Sequence, residues 1–183
     1  MKKTMRFIAK VTSVIIVILL CFAFAYQQEE NEKKLTEEQA KAIIEGFMKF
    51  RNEGNLAAAV AFFHPDVVIN YPNLPQPIKG LDAYKEYDKV MHATFSDLKI
   101  TIDEFFVKDD KIYSYWTMTA TNTGPLMTPM GEIPPTNKKV KISGMAVTHV
   151  VDGKIIEDVA YFDMLDMMMQ LGFTLVPPQP QQP

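Results

Sequence analysis

The chain has 183 residues, of which 48% are hydrophobic and 22% are charged, a composition ordinary for one globular domain with its own core. Its formal net charge at pH 7 is -3, and no cluster of lysines and arginines is interleaved with aromatic residues, which argues against nucleic-acid binding. The sequence also lacks metal-ligand spacing, a phosphate loop and a serine triad, so we expect neither metal nor cofactor.

Residues 1–25 are typical of an export signal. Basic residues precede an apolar run, and Ala23-Phe24-Ala25 fits a signal-peptidase site. We therefore predict cleavage before Tyr26 and a periplasmic or secreted mature protein without cysteine. Two alternatives stay open, namely an uncleaved segment that anchors the protein to the membrane and lipidation at Cys21. No other contact with a membrane is expected.

A single domain is predicted over residues 35–176. The preceding segment 26–34 is polar and charged, which is typical of a flexible spacer. The following segment 177–183 contains only Pro and Gln, which favours a disordered tail. Thr36 and Gln39 predict a capping box for the first helix, and a second short helix is expected from Leu56 to Phe63.

The middle of the chain predicts a short strand, a proline-rich connection and a helix from Leu81 to Thr94. Tyr84 lies on the apolar face of that helix, so it is a candidate ligand contact. Asp88 and His92 are four residues apart on the same helix. They are either an oriented base or a solvated surface pair, and the lack of a nearby nucleophile favours the surface pair.

Two hairpins follow. In the first, the strand from Ile112 to Thr123 alternates so that Trp116, Met118 and Asn122 share one face. That face predicts an aromatic wall with one amide, suited to an apolar ligand that has a polar group. The alternative is that Trp116 only fills the core.

The second hairpin turns at Asp152-Gly153, a pair that accepts the positive φ of a two-residue turn. A regular turn places Val151 opposite Lys154 and Asp163 opposite Ile142, on a mostly apolar face with Tyr161. Asp163 is then either the N-cap of a final helix or an acid/base group whose pKa is raised by burial.

Several motifs in this order resemble the SnoaL-like polyketide cyclase or ester cyclase family. They are Pro-Pro-Thr-x-Lys-x-Val at 134–140, Asp-Gly-Lys-Ile-x-Glu at 152–157, the following Asp163, and Gln-Leu-Gly at 170–172. The resemblance implies the cone fold of the nuclear-transport-factor-like superfamily. It also implies that Asp163 is the general acid/base of an intramolecular aldol closure. One departure is Asn122, which stands where the family usually has a histidine and cannot exchange a proton as imidazole does.

The predicted fold is α+β, because the strands cluster after Leu98 instead of alternating with helices. We expect a strongly curved antiparallel sheet of four to five strands, wrapped on three to four helices to form a cone with a pocket. The pocket would bind a small hydrophobic molecule.

Two functional hypotheses remain. The first is a cofactor-independent cyclase or isomerase in which Asp163 moves the proton α to a carbonyl and Tyr161, Asn122 or Trp116 donates to the oxyanion. The second is a non-catalytic envelope protein that binds a lipid-like ligand or a protein partner. In either case an apolar strip on the outer sheet face predicts a homodimer, through Met145, Val147, His149, Ile156 and Ala160.

Overall fold

The computed structural model describes residues 22, 34–128, 131–174 and 176. The predicted export signal lies outside these residues except for Phe22, the spacer except for Lys34, and the tail entirely. No helix in the described part of the chain has the length and apolar character needed to span a bilayer. All elements below belong to the unit Leu35–Pro183.

Three α-helices and eight strands occur in the described ranges. The helices are α1 (Glu37–Glu53), α2 (Leu81–Thr94) and α3 (Met164–Gln170), with a 3₁₀ helix at Leu56–Ala61. The strands are β1 (Phe63–Asn70), β2 (Ile78–Lys79), β3 (Phe95–Lys108), β4 (Lys111–Asn122), β5 (Leu126–Thr128), β6 (Gly131–Ile133), β7 (Lys139–Val151) and β8 (Lys154–Phe162).

The main sheet has the strand order β2-β1-β8-β7-β4-β3, while β5 and β6 pair separately. The predicted α+β class with a curved sheet is confirmed. The sheet nevertheless has six strands instead of the expected four to five, and it is mixed instead of antiparallel because β1 runs parallel to β8. Because β1 pairs with a strand far along the chain, local turn signals could not reveal this pairing.

The helix boundaries follow local chemistry. The predicted capping box is present, with Thr36 Oγ1 accepting from Gln39 N at 3.2 Å and Gln39 Oε1 accepting from Thr36 N at 3.0 Å. Helix α1 ends at Gly54, whose φ of 62° is left-handed, a conformation that glycine adopts without strain. Helix α2 has the predicted bounds. The predicted second helix is instead a 3₁₀ turn that ends before β1.

The β7–β8 hairpin has the predicted turn and a different register. Asp152 and Gly153 have φ of 49° and 72°, and Val151 pairs with Lys154 as expected. A bulge then shifts the pairing between Val150 and His149, so that Gly144 lies opposite Phe162. Because one extra residue moves every later side chain to the other face, the predicted register toward Asp163 is wrong.

Candidate functional site

A cavity of about 190 Å³ opens between the helices and the inner face of the sheet. An apolar cavity of about 150 Å³ can hold benzene, so the space suits a molecule built around one ring. The walls come from α1, α2, α3 and strands β3, β4, β7 and β8, together with the segments at 71–73 and 126–128.

Most of the cavity wall is apolar. Trp116 and Met118 line it, as their alternation on β4 predicted. Trp116 pairs across the sheet with Gly144, where an added Cβ would lie 2.4 Å from the indole ring. The missing side chain thus lets the indole lie across β7. Phe162 packs edge-on to the indole at 6.0 Å between ring centroids.

Methionine is unusually common in this wall. Its unbranched thioether adapts to irregular ligands better than branched side chains do. Helix α3 supplies several of these residues. Met167 and Met168 lie on its buried face, and Leu165 lies on its exposed face. The methionines that line the cavity are Met48, Met91, Met118, Met127, Met164, Met167 and Met168.

Asp158 on β8 is an acidic side chain of the cavity wall. It is only 3% exposed, and each carboxyl oxygen accepts one hydrogen bond. Thr148 Oγ1 donates to Oδ1 at 2.6 Å, and Tyr71 Oη donates to Oδ2 at 2.8 Å. An ionised carboxylate has about four acceptor positions, so Asp158 can still receive a proton or a bond from a ligand.

The electrostatics of this carboxyl favour proton transfer. Burial raises the pKa of Asp158 above its ordinary value of 3.8, while the bonds from Thr148 and Tyr71 and the charge of Arg51 act in the opposite direction. Burial, together with the Asp158 charge, also raises the pKa of Tyr71. Tyr71 is therefore a neutral donor to a carboxyl that changes protonation more readily than an exposed aspartate would.

A buried ion pair lies at the same cavity. Arg51 Nε donates to Asp88 Oδ1 at 2.9 Å, and Arg51 lines the cavity. Because Asp88 is fully buried, the expectation that Asp88 and His92 form a solvated surface pair is wrong. His92 Nε2 instead lies 2.7 Å from the carbonyl oxygen of Arg51 and 3.7 Å from Asp88 Oδ2.

The predictions that Asn122 and Tyr84 contact the ligand are wrong, because both are buried in the core and neither lines the cavity. The Asn122 side chain holds the end of β4, donating to Gly124 O at 2.8 Å and accepting from Thr136 N at 2.8 Å. Its amide is thus occupied by backbone groups and by the Thr136 hydroxyl, which donates to Oδ1 at 2.9 Å. Tyr84 is fully buried, and its ring packs 4.5 Å from that of Phe63.

The bulge in β8 moves the two remaining predictions away from the cavity. Tyr161 is 69% exposed on the outer face, so its predicted position beside the pocket is wrong. Asp163 is exposed as well and caps α3, its Oδ1 accepting from Asp166 N at 2.9 Å. The expected apolar setting of Asp163 is absent, and the cap interpretation describes its geometry.

Sequence reasoning missed Arg51, Tyr71 and Asp158. Strict alternation on β8 places Asp158 on the outer face, and only the adjacent pair Ile155-Ile156 hints at a bulge. Tyr71 directly follows β1, which pairs in parallel with β8 and carries that residue to Asp158. Arg51 and Asp88 are 37 residues apart, so no local pattern joins them.

Comparison with known proteins agrees with this architecture. Residues 41–171 match the family described as SnoaL-like polyketide cyclase. No curated protein sequence matches the chain.

Solved structures of similar fold include a candidate polyketide cyclase from Acidithiobacillus ferrooxidans. It is 27% identical, with a TM-score of 0.65 over 75% of this chain and 96% of that one. TsrD from Streptomyces laurentii is 23% identical, with a TM-score of 0.67 over 76% and 98%. An LEH-like epoxide hydrolase from M. tuberculosis is 17% identical, with a TM-score of 0.58 over 73% and 90%, and shares the fold.

Proposed function

Since the chain belongs to the SnoaL-like polyketide cyclase family, we propose that it is a cofactor-independent cyclase or isomerase that acts on a small apolar carbonyl compound. The observation that carries this proposal is Asp158, a buried carboxyl in the wall of a mostly apolar cavity. The acid/base role expected at Asp163 thus moves to Asp158. The closest functional alternative is binding of the same ligand without turnover.

The proposed reaction is an intramolecular aldol closure. The Asp158 carboxylate takes a proton from the carbon α to a carbonyl, which leaves an enolate and a neutral carboxylic acid. The enolate carbon bonds to a second carbonyl carbon of the same molecule, whose oxygen becomes an alkoxide. Asp158 then returns its proton to that alkoxide, so the enzyme ends unchanged.

Burial supports both halves of this cycle. A carboxyl with a raised pKa is a stronger base once ionised, and it also holds its proton long enough to return it. Thr148 and Tyr71 fix the carboxyl plane without using all its acceptor positions. The apolar wall excludes the water that would otherwise quench the enolate.

The test is proton exchange on a simple enolisable probe. Phenylacetone in D₂O should gain deuterium at its α-carbons faster with the protein than in buffer, as followed by proton NMR. Ala160→Leu fills the cavity that Ala160 lines and should abolish this acceleration. The matched control Val159→Leu changes the neighbouring residue outside the cavity wall and should keep it. Binding without accelerated exchange would favour the non-catalytic alternative.

We also propose that two copies pair through the outer face of the sheet. Large apolar side chains are exposed there, and the Phe106 and Tyr113 rings stack at 4.8 Å. Ala160, expected on the outer face, lines the cavity on the inner face. Tyr161 lies on the outer face instead. The outer apolar patch comprises Phe106, Tyr113, Tyr115, Met145 and Tyr161. A patch of this kind favours a partner with the same surface.

Export stays a proposal supported by residues 1–25 alone. The basic start and the Ala23-Phe24-Ala25 site are its basis. N-terminal sequencing of protein recovered from outside the cytoplasm should give Tyr26 as the first residue. An acylated product that begins at Cys21 would contradict the predicted cleavage.

A further inference from the structure

Arg51 has hydrogen-bonding capacity that the protein itself does not use. Its guanidinium carries five N–H donors, and only Nε has a partner among the described residues, namely Asp88. The Arg51 side chain is 9% exposed. The described buried atoms without a partner are Asn73 Oδ1, Tyr84 Oη and Asp88 Oδ2. The two Nη atoms are not among these inaccessible atoms, and Arg51 lines the cavity.

The neighbouring groups leave the two Nη groups of Arg51, the fork of its guanidinium, available to a ligand. Arg51 packs over the Phe47 ring at 5.9 Å from its centroid, which fixes the guanidinium against the cavity wall. Tyr84 and Tyr87 are the nearby phenols besides Tyr71, and burial raises the pKa of each. They stay neutral at physiological pH, so Asp88 is the anion that pairs with Arg51.

Asp158 does not use the fork either. Its hydrogen bonds come from Thr148 and Tyr71, and the structure shows none from Arg51. The two Nη groups of an arginine present parallel N–H donors whose spacing matches the two oxygens of a carboxylate. A neutral carbonyl can occupy only part of that arrangement.

We propose that Arg51 binds a carboxylate of the ligand, so that the substrate is a small apolar oxo acid instead of a neutral ketone. This inference rests on the proposed function, because it assigns the substrate class of the same cavity. The carboxylate lies against Arg51, the enolisable carbon faces Asp158, and the apolar part contacts the wall of Trp116 and the methionines. A cationic ligand group is disfavoured at this position because the guanidinium offers N–H donors and no acceptor.

The test compares three probes that share one ring and differ in charge. Phenylacetate, phenylacetamide and phenethylamine are titrated separately into the wild-type protein, and binding is measured by calorimetry or ligand-observed NMR. Phenylacetate should bind more tightly than phenylacetamide by about tenfold or more, as expected for a charge-assisted bidentate contact. Phenethylamine should bind most weakly.

Two variants locate the preference at Arg51. Arg51→Lys keeps a positive charge beside Asp88 but lacks the planar fork, so the preference for the carboxylate should fall. Because single replacements of a buried pair can unfold a protein, the double variant Arg51→Met with Asp88→Leu removes both charges together. It should lose the preference and bind phenylacetate no more tightly than phenylacetamide. Lys85→Met removes a surface charge from α2 and should leave the preference unchanged.

Each outcome has a distinct meaning. Equal binding of phenylacetate and phenylacetamide, or tighter binding of phenethylamine, overturns the carboxylate assignment while the proposed acid/base function at Asp158 stands. A carboxylate preference that persists in the double variant also overturns it. If none of the three probes binds the wild type, both the assignment and the proposed ligand cavity fail.

Discussion

The inner and outer sides of strand β8 differ in burial more than their sequence suggests. On the inner side, Asp158, Ala160 and Phe162 line the cavity. On the outer side and at the end of the strand, Tyr161 and Asp163 are exposed. Two aspartates only five residues apart therefore have opposite settings, one buried with two hydrogen-bond donors and one exposed as a helix cap. Both residues are aspartates, so the difference in the chemistry open to them comes from their positions relative to the bulge.

The largest expected difference between the two aspartates is catalytic. Asp158→Asn retains the size and one acceptor oxygen but cannot accept a proton, so it should slow α-proton exchange of phenylacetone by about a hundredfold or more. Asp163→Asn should leave the rate within about twofold, since Asn also caps helices. NMR in D₂O measures both. A slow Asp163→Asn beside an active Asp158→Asn would reverse the assignment.

Loss of either hydrogen bond to Asp158 should change the rate of α-proton exchange by about tenfold. Thr148→Val and Tyr71→Phe each remove one donor that lowers the pKa of Asp158. Because the base acts when ionised, the exchange rate rises with pH through that pKa. Both variants should therefore shift the rising limb of the pH–rate profile to higher pH. A shift to lower pH in either variant would contradict the assigned role of the donor.

The outer side of β8 predicts an effect on dimer assembly. Tyr161→Lys places a charge in the outer apolar patch and should weaken the dimer by about tenfold or more, as measured by analytical ultracentrifugation. Glu157→Lys is a useful control because it adds positive charge to the same strand outside the patch. A wild type that is monomeric at micromolar concentration would exclude this dimer.

The same contrast can be tested through the pH dependence of stability. The pKa of Asp158 is higher in the folded state than its ordinary value of 3.8, so its contribution is fully present below that value and is lost as pH rises through the folded-state pKa. Replacement by Asn removes this dependence. Urea unfolding measures the free energy of unfolding of each protein. The value for Asp158→Asn, taken relative to the wild type, should increase as the pH is raised from about 4 to about 7, as expected from proton linkage. A relative loss over that interval would mean that the native state favours the ionised form.

The smallest effect belongs to the cap. Asp163→Ala removes the acceptor for Asp166 N and should reduce the free energy of unfolding by about 1 kcal/mol. Asp163→Asn should recover most of this loss. Equal destabilisation by Ala and Asn would indicate that the negative charge, and not the cap oxygen, stabilises α3.

Local signals in the sequence account for much of the fold. The turn at Asp152-Gly153, the capping box at Thr36 and the bounds of α2 each depend on residues close together in the chain. Regular alternation along β4 also predicts that Trp116 and Met118 lie on the cavity face, where the structure has them.

The acidic and basic residues of the cavity depend on long-range structure. The bulge that turns Asp158 inward is a property of the β7–β8 pairing, and Tyr71 reaches it only through the parallel pairing of β1. Asp88 is buried because Arg51, from another helix, supplies its counter-charge. A helical pattern read by itself assigns Asp88 to the surface, since an unpaired carboxylate is strongly disfavoured in a core.

A titration of the Asp158 carboxyl tests most directly whether this residue is the acid/base of the cavity. The side-chain carboxyl carbon of Asp158, identified by its loss in Asp158→Asn, is followed by ¹³C NMR across the acid and neutral range. The midpoint should lie clearly above the ordinary value of 3.8 and should change further when a ligand fills the cavity. A midpoint at or below that value, unaffected by ligand, would contradict the role of Asp158 as the acid/base of this pocket.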